Sequence, residues 1–476
     1  MAGMQDIDHV VVLMLENRSF DHMLGFLYGP NDPALAGQTF EGLTGKETNP
    51  DKNGQPVQVF RITPDTPNGY FMPGADPGEG YKATNSQLFG NINAPSEPPP
   101  PGQSNLGFVN DYAYTLGWES QKPSWTIKDG TTANDIMGIF TPQMLPVLST
   151  LARSYAVCDH WYCSVPTETL PNRAFALAAT SQGHLDDNTK TFTCPSIFGL
   201  LSKAEVPWAI YGYDAPPLTR HNFPDTTDAP EQCFGLFSDF QQAAQSGQLP
   251  AFVFLEPSWS ETGNSQHPVG DVALGEQLIF DVYNTLRNSP QWSRTLLVIT
   301  YDEHGGCYDH VDPPWNATPP DSSVGEFGFD FRRFGPRVPT LLISPLIKPN
   351  TIYRTRSDTP LDHTSVLKSI ERRWNLASLT ARDAAAPDFW DVLNSHAVRT
   401  DNPLAHVTPP NSNGVHPNPT KPSHLQQVHA DLVARLPVPR AHEYHRDRGA
   451  LETSEDYDDY IRERTRAWQN TRHLRR

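Results

Sequence analysis

The sequence predicts a three-layer α/β/α sandwich around a mostly parallel central sheet, with a short helical extension at its C-terminal end. Three observations predict it. First, short apolar runs recur far apart in the chain: Val10 to Leu15, Phe252 to Leu255, Leu296 to Tyr301 and Leu341 to Ile343. Near-continuous apolar runs of this length fit strands buried on both faces, as in a parallel sheet covered by helices. Second, the runs end on functional side chains: Glu16-Asn17, Glu256, Asp302-Glu303-His304 and Ser344-Pro345. Ligands collect beyond the carboxyl ends of the strands in such sheets, so three of the runs are expected to bring acidic oxygens, or His, to one edge. Third, helix-forming segments separate the runs.

The elements follow in order. After the first strand, a Pro-, Gly- and Asn-rich stretch from about Gly29 to Gly107 is too long for a plain connection, so an excursion over the active-site edge is expected. Met144 to Ala152 reads as a helix with Pro146 near its start, and Tyr155 to Cys158 as a short strand. Ser164 to Arg173 reads as a turn leading into a helix over Ala174 to Ala179. A hydroxyl-bearing loop entering a helix N-terminus sits in a positive dipole end, suited to an anion. Trp208 to Tyr211 reads as another central strand, Asp271 to Arg287 as a helix, and Asp362 to Trp374 as a helix with an acidic start and a basic end. Asn402 to Pro422 reads as a linker, followed by polar helices near Leu425–Leu436 and Ser454–Asn470. The expected division is therefore a catalytic unit over residues 1–400 and a linker with helical extension over 401–476.

Composition narrows the function. A formal net charge of -18 over 476 residues argues against nucleic acid, which wants a basic stripe, and against long-range attraction to an anionic membrane. It leaves room for a phospholipid or a small phosphate ester held by a local cation. The 5 cysteines include no CxxC pair, so free thiols are expected rather than a disulfide framework. No apolar run reaches the roughly 20 residues needed to span a bilayer. No export leader is visible before Ile7, so the chain as written is expected in the cytoplasm, with export by another route open. Oligomeric state is not legible.

Glu16-Asn17 are either metal ligands or a cap at a strand end. Asp302-Glu303 point more firmly to a cation, because adjacent carboxylates repel. Gly305-Gly306 then let the backbone turn sharply away. A hard oxygen set of this kind fits Ca²⁺, Mg²⁺ or Mn²⁺, and Zn²⁺ if a hydroxyl or His joins.

Six motifs occur in register: Glu16 to His22, Thr169 to Arg173, Glu256-Pro257 with His267-Pro268, Thr300 to Gly306 with Asp309 to Val311, Val338 to Thr340 with Ile343 to Pro345, and Asp362 to Ser365. Together they closely resemble the bacterial phospholipase C and acid phosphatase family, within the alkaline-phosphatase-like superfamily, over about residues 5–380. The resemblance implies one divalent metal ion (Zn, Ca, Mg or Mn) bound by Glu16, Asn17, Thr169, Asp302 and Glu303. Thr169 would be both ligand and nucleophile, attacking phosphorus to give a phosphothreonine. It implies His267 as phosphoryl contact or leaving-group acid, with His304 and His363 as further candidates. Asn172 and Arg173 either orient the nucleophile turn or, for Arg173, simply pack. Where the family usually has Gly-Pro before the threonine, this chain has Thr167-Glu168. Glu168 either favours a cationic head group such as choline or points to solvent, and Thr167 is a competing nucleophile by chemistry. Trp118, Trp125, Trp161, Tyr162 and Trp259 are candidates for an aromatic choline cage, or ordinary packing residues. The expected activity is a phospholipase C on phosphatidylcholine-like lipids. The alternatives are a broad acid phosphatase on monoesters and a catalytically silent binding protein.

Overall fold

The computed structural model describes residues 2–29, 31–122, 127–188, 191–260, 262–414, 422–438 and 451–474. Its centre is an eight-stranded sheet. In chain order the strands are β1 (His9–Leu15), β2 (Ala156–Cys158), β3 (Trp208–Gly212), β4 (Phe234–Leu236), β5 (Phe252–Glu256), β6 (Thr295–Tyr301), β7 (Thr340–Ile343) and β8 (Thr351–Ile352). Across the sheet they run β8-β2-β7-β6-β1-β5-β3-β4. Successive residues of a strand face opposite sides, and every residue of β5 and β6 is buried, so both faces of the sheet are covered.

β1 lies parallel between β5 and β6, with Leu13 opposite Leu255 on one side and Leu15 opposite Tyr301 on the other. This register brings the segments after Leu15, Glu256 and Tyr301 out at one edge. β7 is the exception within the mostly parallel centre, because it pairs antiparallel with both β6 and β2. Its Thr340 therefore lies at the site edge, where its hydroxyl meets that of Thr300 at 2.7 Å, and Ser344-Pro345 leave from the opposite edge. An apolar run specifies burial and carries no direction, so the reversal is invisible in the sequence.

The helices that frame the site are α1 (Phe20–Leu24), α2 (Tyr81–Phe89), α3 (Phe108–Glu119), α4 (Pro146–Ser154), α5 (Thr169–Ala178), α6 (Val272–Arg287), α7 (Thr364–Trp374), α8 (His424–Val433) and α9 (Ser454–Leu474). α5 begins five residues before the expected Ala174, and Pro171 does not delay it. The first helical N–H groups have no intrahelical partner, so a proline in the first turn removes nothing that was bonded. α6 holds α4 through Glu276, whose carboxylate accepts from Val147 N at 2.7 Å and Leu148 N at 2.9 Å. α8 seats Leu425, Val428 and Leu432 on Leu170, Leu218 and Trp259. Arg464 of α9 in turn donates to the carbonyls of Val433, Ala434 and Leu436 at the end of α8. Among the described residues all 5 cysteines are free, and no helix is long and apolar enough to cross a membrane.

Candidate active site

The site assembles where β1 and β6 end and α5 begins. Asn17, the second residue beyond β1, takes a left-handed conformation (φ 56°), which Asn tolerates better than most side chains. That turn sends its backbone N–H to Asp302 Oδ1 at 3.2 Å and its side chain to Thr169, whose Oγ1 donates to Asn17 Oδ1 at 3.2 Å. Three of the five residues expected to hold a metal are thus joined directly. The other two are buried beside them. Glu16 is 3 % exposed and Glu303 is 0 % exposed, and the Oε1 atom of each has no hydrogen-bond partner.

Electrostatics set the character of the site. Burial, with the Asp302 carboxylate adding to it against the pull of His267, raises Glu16 to about 7. Burial together with Glu79 and Asp302 pushes Glu303 well above the ordinary range. Asp302 is raised by burial although Arg173 opposes this, donating from Nε to Asp302 Oδ2 at 2.9 Å. A buried set of carboxylates with two orphaned oxygens is what a hard divalent cation satisfies. The residues present therefore fit such an ion.

Glu16 and Thr169 line a cavity of about 690 Å³, shared with Asp76, Glu79, Glu168, Asp186, Asp187, Trp259 and His267. Thr167 is excluded from it: its hydroxyl is buried and donates to the Leu185 carbonyl at 2.5 Å. Glu168 faces the cavity rather than bulk solvent, accepts from Asp187 N at 2.7 Å, and is raised to about 7 by burial. His267 also lines the cavity. Burial lowers its basicity, but the carboxylates of Asp76 and Glu79 outweigh this and carry it well above the usual histidine range.

The remaining expected residues stand behind the cavity wall. Asn172 ties the turn before α5, accepting from Val165 N and donating to the carbonyls of Val165, Thr167 and Glu168. Arg173 clamps Asp302 and also donates to the Met14 and Leu15 carbonyls at 3.2 and 3.3 Å, fastening α5 to the end of β1. His363 lies 2.6 Å from the Asp302 carbonyl through Nε2, and His304 lies 2.7 Å from Gln87 through Nε2. Both histidines are fully buried, do not line the cavity, and are held low by burial, at about 4 for His363 and about 3 for His304. They brace the Asp302-Glu303 turn.

Several residues depart from the sequence reading. Glu256 ends its strand as Glu16 does, yet its carboxylate is fully engaged by Leu218 N, Thr219 N and Trp259 Nε1 and offers nothing to the cavity. Of the candidate cage aromatics, Trp161 and Tyr162 are buried in the core, Trp118 is exposed, Trp259 lines the cavity, and Trp125 lies outside the described residues. The reading missed Asp76 and Glu79, which come from the long excursion, and Asp186 and Asp187. Asp187 caps α5 by accepting from Leu170 N at 2.7 Å. Only the Pro-Gly turn around Pro77-Gly78 within the excursion could have hinted at the first pair.

Two groups among the described residues bring ligand atoms within 4.8 Å of one another: Asp21, Asp309 and His310, and Asp76, Glu79 and His267. The first is already engaged by a cation, because the buried guanidinium of Arg337 pairs with Asp21 at 2.8 Å and Asp309 at 2.9 Å. The second lines the cavity.

The chain is 36% identical over 421 residues to the Arabidopsis thaliana protein named non-specific phospholipase C6, covering 84% of this chain and 74% of that protein. It is 29% identical over 453 residues to phospholipase C A of Mycobacterium tuberculosis, covering 86% and 79%. Among solved structures, a protein in the alkaline phosphatase superfamily from Vibrio parahaemolyticus aligns at TM-score 0.32 and 13% identity over 51% of this chain and 64% of that one, too distant to bear on function. The Phosphoesterase family pattern matches residues 7–377. With that match spanning most of its length, the chain belongs to the phosphoesterase family and is a hydrolase of phosphate esters.

Proposed function

We propose that this enzyme is a phospholipase C, with Thr169 as nucleophile, acting on diesters whose head group is cationic, such as phosphatidylcholine. The observation that carries the reading is the hydrogen bond from the Thr169 hydroxyl to Asn17 Oδ1 at the first residue of α5, at the wall of an acidic cavity. The names of the plant and mycobacterial relatives support phospholipase C activity.

In this mechanism Glu16, Asn17, Asp302 and Glu303, with the Thr169 hydroxyl, hold one divalent cation. When bound, the ion supplies Lewis acidity, lowering the pKa of the hydroxyl and offsetting charge on the phosphoryl oxygens. The protein does the rest. The Thr169 Oγ1–H donates to Asn17 Oδ1, which holds the oxygen at the cavity wall. Asn172 and Asp187 fix the turn that carries it. Thr169 Oγ1 bonds to phosphorus as its hydroxyl proton passes to water in the cavity and the bond to the glyceride oxygen breaks, and His267, held as imidazolium by Asp76 and Glu79, donates the proton that the departing diacylglycerol needs. Water then attacks the phosphothreonine, giving up a proton to neutral His267, while Thr169 Oγ1 leaves phosphorus and takes a proton back from cavity water, releasing the phosphorylated head group. Asp186, Asp187 and Glu168 lie where a quaternary ammonium would sit, with Trp259 as the aromatic face.

The test compares hydrolysis of p-nitrophenylphosphorylcholine with that of p-nitrophenyl phosphate by the wild type and Thr169→Ala. The expected result is diester turnover that the substitution abolishes. Monoester turnover alone would make the enzyme a phosphatase, and an active Thr169→Ala would remove the threonine from the mechanism.

A further inference from the structure

We infer that Glu79 is the positioning residue of this active site, setting the polarity of the Asn17 amide and the placement of His267 with one carboxylate oxygen. This rests on the proposed roles of Thr169 and Asn17. Glu79 Oε1 accepts from Asn17 Nδ2 at 2.6 Å and lies 3.2 Å from His267 Nε2. An Asn side chain presents an oxygen on one side and an NH₂ on the other, and rotation by half a turn exchanges them. In the observed orientation the amide oxygen meets the Thr169 hydroxyl; in the flipped one an NH₂ would face it and offer nothing to a cation. The charged acceptor that the Asn17 NH₂ meets in the observed orientation is Glu79, and that bond selects between the two. The bond is short and charge-assisted, the class worth about twice a neutral one.

The same oxygen fixes the imidazole. Nδ1 of His267 is engaged by the carbonyl of Pro268, which directs Nε2 to Glu79 at the cavity wall. Glu79 reaches both partners because it lies on the excursion that crosses the site, two residues before α2 begins at Tyr81. Its neighbour Gly80 leaves the room that Glu168 needs: a Cβ at position 80 would fall 2.7 Å from Glu168 Oε1. A direct metal role for Glu79 is the competing use of this carboxylate, because Asp76, Glu79 and His267 form a compact group. The oxygen nearest both partners already accepts from the amide, and a cation there would displace that hydrogen bond.

The test uses the full chain, with Glu79→Ala, Glu79→Gln and Thr169→Ala compared for kcat, KM, thermal melting and Mn²⁺ binding by titration calorimetry. Outer partners of a metal ligand typically change affinity or activity 10–100-fold. Glu79→Ala is therefore expected to lower kcat about 10–100-fold with KM within about threefold, and to weaken Mn²⁺ binding by about tenfold, at an unchanged melting temperature. Glu79→Gln keeps an acceptor for the amide and lacks the charge, so it should recover Mn²⁺ affinity without recovering full kcat. Wild-type kcat in Glu79→Ala, alongside an inactive Thr169→Ala, overturns the inference and leaves the proposed function standing. Two Mn²⁺ ions per chain falling to one in Glu79→Ala would make Glu79 a ligand and overturn it as well. Equal loss in both Glu79 variants with a large drop in melting temperature would assign the residue to packing. An active Thr169→Ala defeats the proposed function itself.

Discussion

The backbone of Gly305 rests against that of Asn17: a Cβ at position 305 would lie 2.0 Å from the Asn17 carbonyl oxygen. Gly305 also has φ +62°, where a side chain is strained in any case. Gly305→Ala must push apart the two turns that carry Asn17 and Asp302. The expected outcome is a loss of about 100-fold or more in kcat/KM, since a 1 Å misplacement alone can cost that much. Steady-state kinetics checks it, and a variant within threefold of wild type would contradict it.

Arg173 is the buried counter-charge of Asp302, at 2.9 Å. Arg173→Met leaves Asp302 buried without its guanidinium and removes the Arg173 hydrogen bonds to the Met14 and Leu15 carbonyls, of which Leu15 keeps the Asp302 N–H at 3.2 Å. Removing one partner of a buried pair costs about 3–5 kcal/mol. Urea unfolding should show a loss of this size. A loss below about 1 kcal/mol would mean that Asp302 is compensated by something else.

Glu168 lines the cavity, its carboxyl raised by burial to about 7, and its proposed role is to favour a cationic head group. Glu168→Gln should shift the ratio of p-nitrophenylphosphorylcholine to p-nitrophenyl phosphate turnover toward the dianionic monoester by about tenfold, a differential of about 1.4 kcal/mol. An unchanged ratio would show that this carboxyl plays no part in head-group choice.

Glu119, near the end of α3, is buried and neither of its carboxylate oxygens has a partner among the described residues. Burial raises its pKa to about 8 from 4.5. Between those values the folded chain holds a proton that the unfolded chain has released, so the group makes stability fall as pH rises from 4.5 to about 8. Glu119→Gln should match wild type in stability near pH 4 and exceed it by about 1 kcal/mol or more at pH 8.5. Parallel chemical unfolding at the two pH values decides this, and a constant difference would count against it.

The strands that carry the site were readable because burial on both faces writes a continuous apolar run, and Glu16, Asn17, Asp302 and Glu303 follow such runs directly. Other features depend on contacts between distant segments. Glu256 carries the same signature as Glu16, and what separates them is the pair of amide groups at Leu218 and Thr219 that takes its carboxylate. Nothing in the run Thr340–Ile343 encodes its reversed direction. Asp76 and Glu79 lie in a loop with no periodicity, and only its fold over β1 brings them to Asn17. Likewise, nothing in the sequence shows that the Thr167 hydroxyl is taken by the Leu185 carbonyl.

Residues 422–425 and 427, at the start of α8, form part of the cavity rim, although the family pattern ends at residue 377. The reacting groups and this rim are therefore written in separable stretches of the chain. Drift in the later stretch can retune which esters are admitted while the bond-breaking apparatus stays untouched.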